Sequence, residues 1–161
     1  MNQFLIQELG QANREWANHI IKEEWSSTTI ITREKIHYAN MLPGFIALHN
    51  DKPSGLLIYK IQGNECEIIA LKSLVQGIGI GSALINTAKK YAISQQCQRL
   101  WLITSNDNIP ALYFYQKRGF MLVAVYRNAI DHSRQLKPEI PLLGLYGIPL
   151  RDEIEFEMIL K

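Results

Sequence analysis

A chain of 161 residues, 47% hydrophobic and 20% charged, is long enough for one domain with a real core and too apolar for a disordered tail. Its 17 basic and 15 acidic residues leave a net charge of +2 with no run of five like charges, which speaks against a nucleic-acid or membrane-surface partner. Cys66, Cys97 and the four scattered histidines have no metal-ligand spacing, no apolar run approaches the ~20 residues of a membrane span, and the N-terminus has no secretory pattern. A cytoplasmic home with two free, buried cysteines is expected.

No repeat, linker or low-complexity segment divides residues 1–161, so one domain is expected. "QFLIQEL" reads as a first strand. Ala12, Trp16, Ala17, Ile20 and Ile21 then recur at helical spacing between Gln11 and Trp25. "SSTTIIT" is β-branched, and Thr32 is placed to cap a short helix beginning "REKIHYA". "FIALHN", "LLIYKIQ" and "CEIIALKSL", parted by "NDKPSG" and "GNE", read as an antiparallel meander. A helix over roughly Gly79 to Gln95 follows, then the apolar strand "RLWLITS". Asn106, Asp107 and Asn108 are cap candidates for the next helix, Pro110 suits its first turn, and Gly119 should stop it. "FMLVAVYR" and "DEIEFEMIL" complete the strands, the latter alternating Ile154, Phe156, Met158 and Leu160 with Glu153, Glu155 and Glu157. The order predicts an α/β (α+β) fold. Its mixed, mostly antiparallel sheet should hold about six or seven strands, with helices on both faces.

"QGIGIGS", between the meander and a helix, raises the question of what its three glycines are for. A Walker loop fails because no lysine follows Gly81. A dinucleotide fingerprint fails because its third glycine would fall at Ser82 or Leu84. Two readings remain: amides at a helix start turned toward a pyrophosphate, or a turn that lets the helix pack closely on its strand.

The second segment, "NDNIPALYFYQKRGF", resembles the other diagnostic motif of the GNAT superfamily of N-acetyltransferases, with matches at Asn108, Ala111, Phe114, Tyr115, Gly119 and Phe120. Gln76, Gly79 and Gly81 match that family's (Arg/Gln)-x-x-Gly-x-(Gly/Ala) motif, in the right order and one helix and strand upstream. Gln76 replaces the commoner arginine, and "LKSLVQ" is shorter than usual and lacks a proline. The resemblance implies acetyl-coenzyme A as cosubstrate. Its pyrophosphate would lie on the amides of Gln76, Gly77, Ile78, Gly79, Ile80, Gly81 and Ser82, and its pantetheine would run beside Leu71, Lys72 and Ser73. Asn108 would touch the coenzyme, cap its helix, or both.

The implied activity is acetyl transfer to a primary amine, expected on a small molecule, by direct attack through a tetrahedral intermediate. A protein N-terminus or lysine is the alternative acceptor, and a non-catalytic coenzyme-A-binding module the alternative function. Tyr115 matches the tyrosine facing the sulfur and is assigned as general acid. Glu67 matches a frequent strand glutamate and is the candidate base, with a backbone amide near Leu71 as oxyanion donor. The stretch from Asn128 to Glu153, long for a connection, is expected to wall the acceptor pocket. Arg127, Asn128, His132, Arg134 and Lys137 would suit a carboxylate-bearing acceptor; Asp152, Glu153 and Glu155 would suit a cationic one. Trp25 and His37 are further candidates for the lining. The plainer reading of the segment is cover for a sheet edge, or a homodimer contact.

Overall fold

The computed structural model describes residues 3–161. Its main sheet has seven strands: β1 (Phe4–Glu8), β4 (Gly44–His49), β5 (Lys52–Gln62), β6 (Glu65–Ser73), β7 (Arg99–Ser105), β8 (Met121–Tyr126) and β9 (Glu153–Ile159). Their spatial order is β1-β4-β5-β6-β7-β9-β8, with β6–β7 parallel and the other neighbours antiparallel. A parallel pair needs a crossover connection, and α2 (Ile80–Ser94) supplies it.

Both faces of the sheet are covered, as the side-chain period of two requires. On β5, Leu56 and Ile58 face α1 (Gln11–Trp25), which buries Ala17, Ile20 and Ile21 against them. Leu57 and Tyr59 face the opposite way, toward Ile80, Leu84, Ile85 and Ala88 of α2. The same side receives Tyr115 from α3 (Ile109–Lys117). Gly55 sets the contact between β5 and the first turn of α2, since a Cβ there would lie 2.5 Å from Ile80 Cγ2. The expected helix signals hold at α3: Asn108 Oδ1 accepts from the Ala111 N–H at 3.2 Å, and Gly119 follows the helix with φ +94°.

Two expectations fail. "REKIHYA" is not a helix: Lys35–Tyr38 is strand β3, paired with β2 (Thr29–Thr32) in a separate hairpin. Its two turn residues, Arg33 and Glu34, have φ of +49° and +64°, a conformation costing non-glycine residues roughly 1–2 kcal/mol each. Tertiary contacts offset that cost. The Arg33 N–H donates to Glu153 Oε1 at 3.0 Å, and its guanidinium stacks 4.0 Å from the centre of the Tyr126 ring. The segment before β9 is also not wholly irregular. Ala129–Leu136 forms α4, burying Ala129, Ile130 and Ser133, and a short 3₁₀ turn spans Leu145–Gly147.

Candidate active site

The site begins where β6 and β7 part. Their ladder joins Glu65–Ile68 to Arg99–Leu102 and goes no further. Ile69 is an extra residue on β6, because Ile58 pairs with Ala70 while Tyr59 pairs with Ile68. Such a bulge bends its strand. β7 meanwhile continues along β9 as far as Ser105 opposite Glu153. The gap opens into a cavity of about 500 Å³. Leu71, Thr104, Asn108 and Tyr115 line it from the sheet and α3; Trp25 at the end of α1, Thr32 of the hairpin, Ser133 of α4 and Leu150 ahead of β9 line it from the other side.

At the end of β6 the glycines divide between the two readings of their loop. Gly77 and Gly79 have φ of +80° and +89°, with open space where a Cβ would stand. Their need is for the left-handed backbone. Gly81 is different: a Cβ there would lie 3.1 Å from the Phe114 ring, so it permits close packing of α2 on α3. The first helical bond of α2 runs from Ala83 N–H to Gly79 O at 3.0 Å, which leaves the N–H groups of Ile80, Gly81 and Ser82 ahead of the ladder. Gln76 is exposed and its side chain donates weakly to Ser73 O at 3.4 Å. Arg118, which the sequence pattern did not single out, stands beside this turn. It donates to Ser82 Oγ at 2.7 Å and to Phe114 O at 3.0 Å, and stacks on the Phe114 ring. Ile78 and Ile80 pack into the core, Ser73 Oγ donates to Val75 O at 2.9 Å, and Lys72 pairs with Glu24 at 3.0 Å.

Among the three consecutive aromatics of α3, Tyr113 is exposed and Tyr115 buried at the cavity wall, edge-on to Phe114 and Phe120. Burial raises the Tyr115 phenol above its ordinary value. Glu67 is buried but does not line this cavity. Its carboxylate faces a second, smaller pocket and reaches the first through Thr32, whose Oγ1 donates to Glu67 Oε2 at 2.9 Å. Burial pushes the Glu67 carboxyl up to about 7, against the opposing pull of the Thr32 bond and of Lys60 and Lys35. Glu153 faces the main cavity directly, and burial raises its carboxyl as well.

A sequence profile described as the acetyltransferase (GNAT) family matches residues 10–120. The chain belongs to the GNAT acetyltransferase family. YdhI of Bacillus subtilis (strain 168), an uncharacterized protein, is 39% identical over 153 residues, covering 92% of this chain and 96% of that one. A streptothricin acetyltransferase of Escherichia coli is 39% identical over 56 residues, 35% of this chain and 32% of that one. A crystal structure of a GNAT family acetyltransferase from Elizabethkingia anophelis with acetyl-CoA bound superposes with a TM-score of 0.73 at 20% identity, covering 99% and 100% of the two chains.

Beyond the residues matched by the family, the segment from Asn128 to Glu153 borders the cavity, through other residues than most of those named for it. None of Arg127, Asn128, His132, Arg134 or Asp152 lines it. Arg134 instead clamps its own segment, donating to Ile140 O, Pro141 O and Leu150 O and pairing with Asp131. Asp152 accepts from the Asn128 N–H at 2.8 Å and pairs with Arg151. Arg127 is exposed, and His132 pairs with Glu34 at 3.2 Å on the surface. Lys137 does line the cavity, yet its ammonium donates to Trp25 O at 2.5 Å and Thr29 O at 2.6 Å and so ties α4 to the hairpin. Asp107 is also engaged, accepting from Ser105 Oγ and from the Leu145 N–H. Glu155 lies deep in the sheet with Arg99 and Tyr126. Of the three carboxylates offered for a cationic acceptor, Glu153 is the one that faces the cavity. Trp25 lines it as expected, while His37 is buried behind Thr32.

Proposed function

We propose that the protein transfers the acetyl group of acetyl-coenzyme A to the primary amine of a cationic small molecule. The observation that carries this reading is the cavity at the parting of β6 and β7, with Tyr115 on one wall and Glu153 facing it from β9. The residues present suit the coenzyme. Gly77 and Gly79 adopt a backbone that side chains disfavour, and three N–H groups stand ahead of the α2 ladder, at the positive end of its dipole. The Arg118 guanidinium, anchored on Ser82 and Phe114, supplies the positive charge that Gln76 does not. Leu71, beyond the last β6–β7 pair, lies along the path for the pantetheine arm. The coenzyme supplies the activated acetyl thioester.

Tyr115 acts on the departing sulfur. A thiol ionises near 8.5, judged by cysteine, and a phenol near 10. Burial moves the Tyr115 phenol further up, so complete proton transfer from it to a thiolate is uphill. Its contribution is a hydrogen bond that strengthens as charge develops on sulfur. Glu67, half ionised near neutral pH, takes the proton from the attacking nitrogen.

Acceptor selection falls to the other wall. Trp25, Ile30, Ile130 and Leu150 are apolar; of the carboxylates on the lining, Glu24 pairs with Lys72 and Asp107 is held by Ser105 and Leu145, so Glu153 is the one without a side-chain partner among the described residues. An amine with a cationic group beside an apolar body suits that lining, and the partial likeness to a streptothricin acetyltransferase supports a small molecule over a protein terminus. The two buried, free cysteines suit the cytoplasm, and no helix among the described residues is long and apolar enough to cross a membrane. A panel of polyamines, aralkylamines, aminoglycosides, streptothricin and an alanine-terminated peptide, followed by free-thiol release, tests the reading. Turnover should concentrate on the cationic small molecules; turnover on the peptide alone would overturn the acceptor assignment. Calorimetric titration with acetyl-coenzyme A against ATP and NAD tests the cosubstrate.

A further inference from the structure

We infer that Thr32 relays a proton between the acceptor cavity and Glu67, with His37 as the third member of a hydrogen-bond chain that runs in either direction. This rests on the reading of Glu67 as base and explains how a base outside the cavity reaches it. Thr32, His37 and Glu67 are 6%, 3% and 6% exposed. Thr32 Oγ1 lies 2.9 Å from Glu67 Oε2 and 2.6 Å from His37 Nε2, while His37 Nε2 and Glu67 Oε1 are 3.9 Å apart. The hydroxyl is therefore the hub of the three. Thr32 lines the main cavity; Glu67 lines a second pocket of about 290 Å³ with Lys35, Lys60, Glu65 and Trp101.

A threonine hydroxyl has one proton to donate and two lone pairs to accept with. When Glu67 is a carboxylate, the order is His37 Nε2–H to Thr32 Oγ1, and Thr32 O–H to Glu67. When Glu67 is protonated, its O–H donates to Thr32, and Thr32 donates to an unprotonated His37 Nε2. The second order requires the hydrogen of His37 to sit on Nδ1. The tautomer of a histidine is set by what its other nitrogen bonds. His37 Nδ1 is buried without a hydrogen-bond partner among the described residues, so neither tautomer is locked. Burial, with Lys60 and Lys35 nearby, holds the ring neutral by lowering it to about 4, and a neutral ring is what both orders need. The charged and titratable groups facing Glu67 are Lys60 on β5, Lys35 and His37 on β3, and Glu153 on β9.

In the transfer step, one N–H bond of the attacking amine breaks and its proton joins Thr32 Oγ1, while the Thr32 proton passes to Glu67 Oε2. Glu67 then releases a proton to solvent through the second pocket. No oxidation or reduction is involved, and Thr32 ends as it began.

¹⁵N NMR of the His37 ring, recorded from pH 5 to 9 on the protein without coenzyme or amine, tests the chain. The ring should change from the Nδ1–H to the Nε2–H tautomer in step with the titration of Glu67 near pH 7. Thr32→Ser should keep that change, whereas Thr32→Val and Glu67→Gln should each abolish it. A tautomer constant across the range, or a change that persists in Thr32→Val, overturns the chain. In turnover on the best amine of the panel, Thr32→Val should lose about 10-fold or more, and Thr32→Ser less than about 3-fold. Full turnover in Thr32→Val overturns the relay. Full turnover in Glu67→Gln instead overturns the base itself, so the two failures are distinguishable.

Discussion

Replacing Glu67 by glutamine should change how stability depends on pH, by an amount set by the burial of its carboxyl. Burial raises the Glu67 carboxyl from an ordinary 4.5 to about 7, so between those values the folded protein holds a proton that the unfolded chain has lost. Stability from this group is full below pH 4.5 and falls as pH rises to 7, by ~1.36 kcal/mol per unit and about 3 kcal/mol in all. His37 works in the opposite sense. Its ring is lowered from 6.5 to about 4, so between those values the unfolded chain holds the extra proton and stability rises with pH. In the native protein the two slopes nearly cancel from about pH 4.5 to 6.5. Glu67→Gln removes one of them. Its stability relative to the native protein should climb by about 3 kcal/mol between pH 4.5 and 7. His37→Asn should show the mirror image, losing ground over about pH 4 to 6.5. Urea unfolding followed by circular dichroism at half-unit steps of pH measures both differences, and titrations common to all three proteins drop out. A Glu67→Gln difference that stays flat would mean an ordinary carboxyl in an open site. One that falls with pH would mean an ion pair with protonated His37, and either result refutes the neutral, buried pair.

With the role proposed for its hydroxyl at the leaving sulfur, Tyr115→Phe should lower kcat by about 100-fold and leave KM for the amine near the native value. Its thermal midpoint should stay close to native, since the ring packing against Phe114 and Phe120 is retained. Glu153→Gln should raise KM for a cationic amine by about 10-fold or more with a smaller effect on kcat, the loss expected when a charge-assisted contact becomes a neutral one. Gly144→Ala should destabilise by about 2–3 kcal/mol in thermal or urea unfolding. A Cβ there collides with the Asp107 carboxylate, which holds the Leu145 N–H at 2.8 Å.

Most of the fold is legible because local signals and burial agree. The alternation of β9, the Asn108 cap, the stop at Gly119 and the period of α1 each name their element, and each is found. The β2–β3 hairpin was not legible, for a physical reason. Its turn lacks the glycine or asparagine that usually marks a left-handed pair, and what holds Arg33 there is Glu153, 120 residues further on. Thr32 consequently reads as a helix cap, although its hydroxyl belongs to Glu67. α4 was hidden by the prolines and glycines that follow it and by a buried face that includes Ser133.

The hairpin also decides how the polar residues of β9 are placed. On β9 the glutamates read as the wet side of a half-buried strand, but the hairpin tip closes over them, Arg33 bonding Glu153 and lying 3.8 Å from Glu155. With that cover in place, Glu153 and Glu155 are nearly inaccessible and their surroundings diverge. Arg99, Tyr126 and the Arg33 guanidinium engage Glu155, while among the described residues Glu153 receives a single backbone N–H and faces the cavity. Adjacent residues of the hairpin reach both carboxylates of the proposed site, Thr32 by its side chain to Glu67 and Arg33 by its N–H to Glu153. Loosening Arg33, rather than the turn as such, is therefore predicted to disturb both carboxylates together. Glu34→Gly removes the left-handed penalty at a residue bonded to neither carboxylate, at the cost of its surface pair with His132 and of its charge near Glu153, and should stabilise the turn by up to about 1 kcal/mol with only a small effect on KM. Arg33→Gly removes the same penalty, but also the stacking on Tyr126 that steadies the N–H against Glu153. It should raise KM for a cationic amine and shift the acidic limb of the rate profile. Identical kinetics in the two variants would show that the hairpin tip only covers the sheet and does not hold the carboxylates in register.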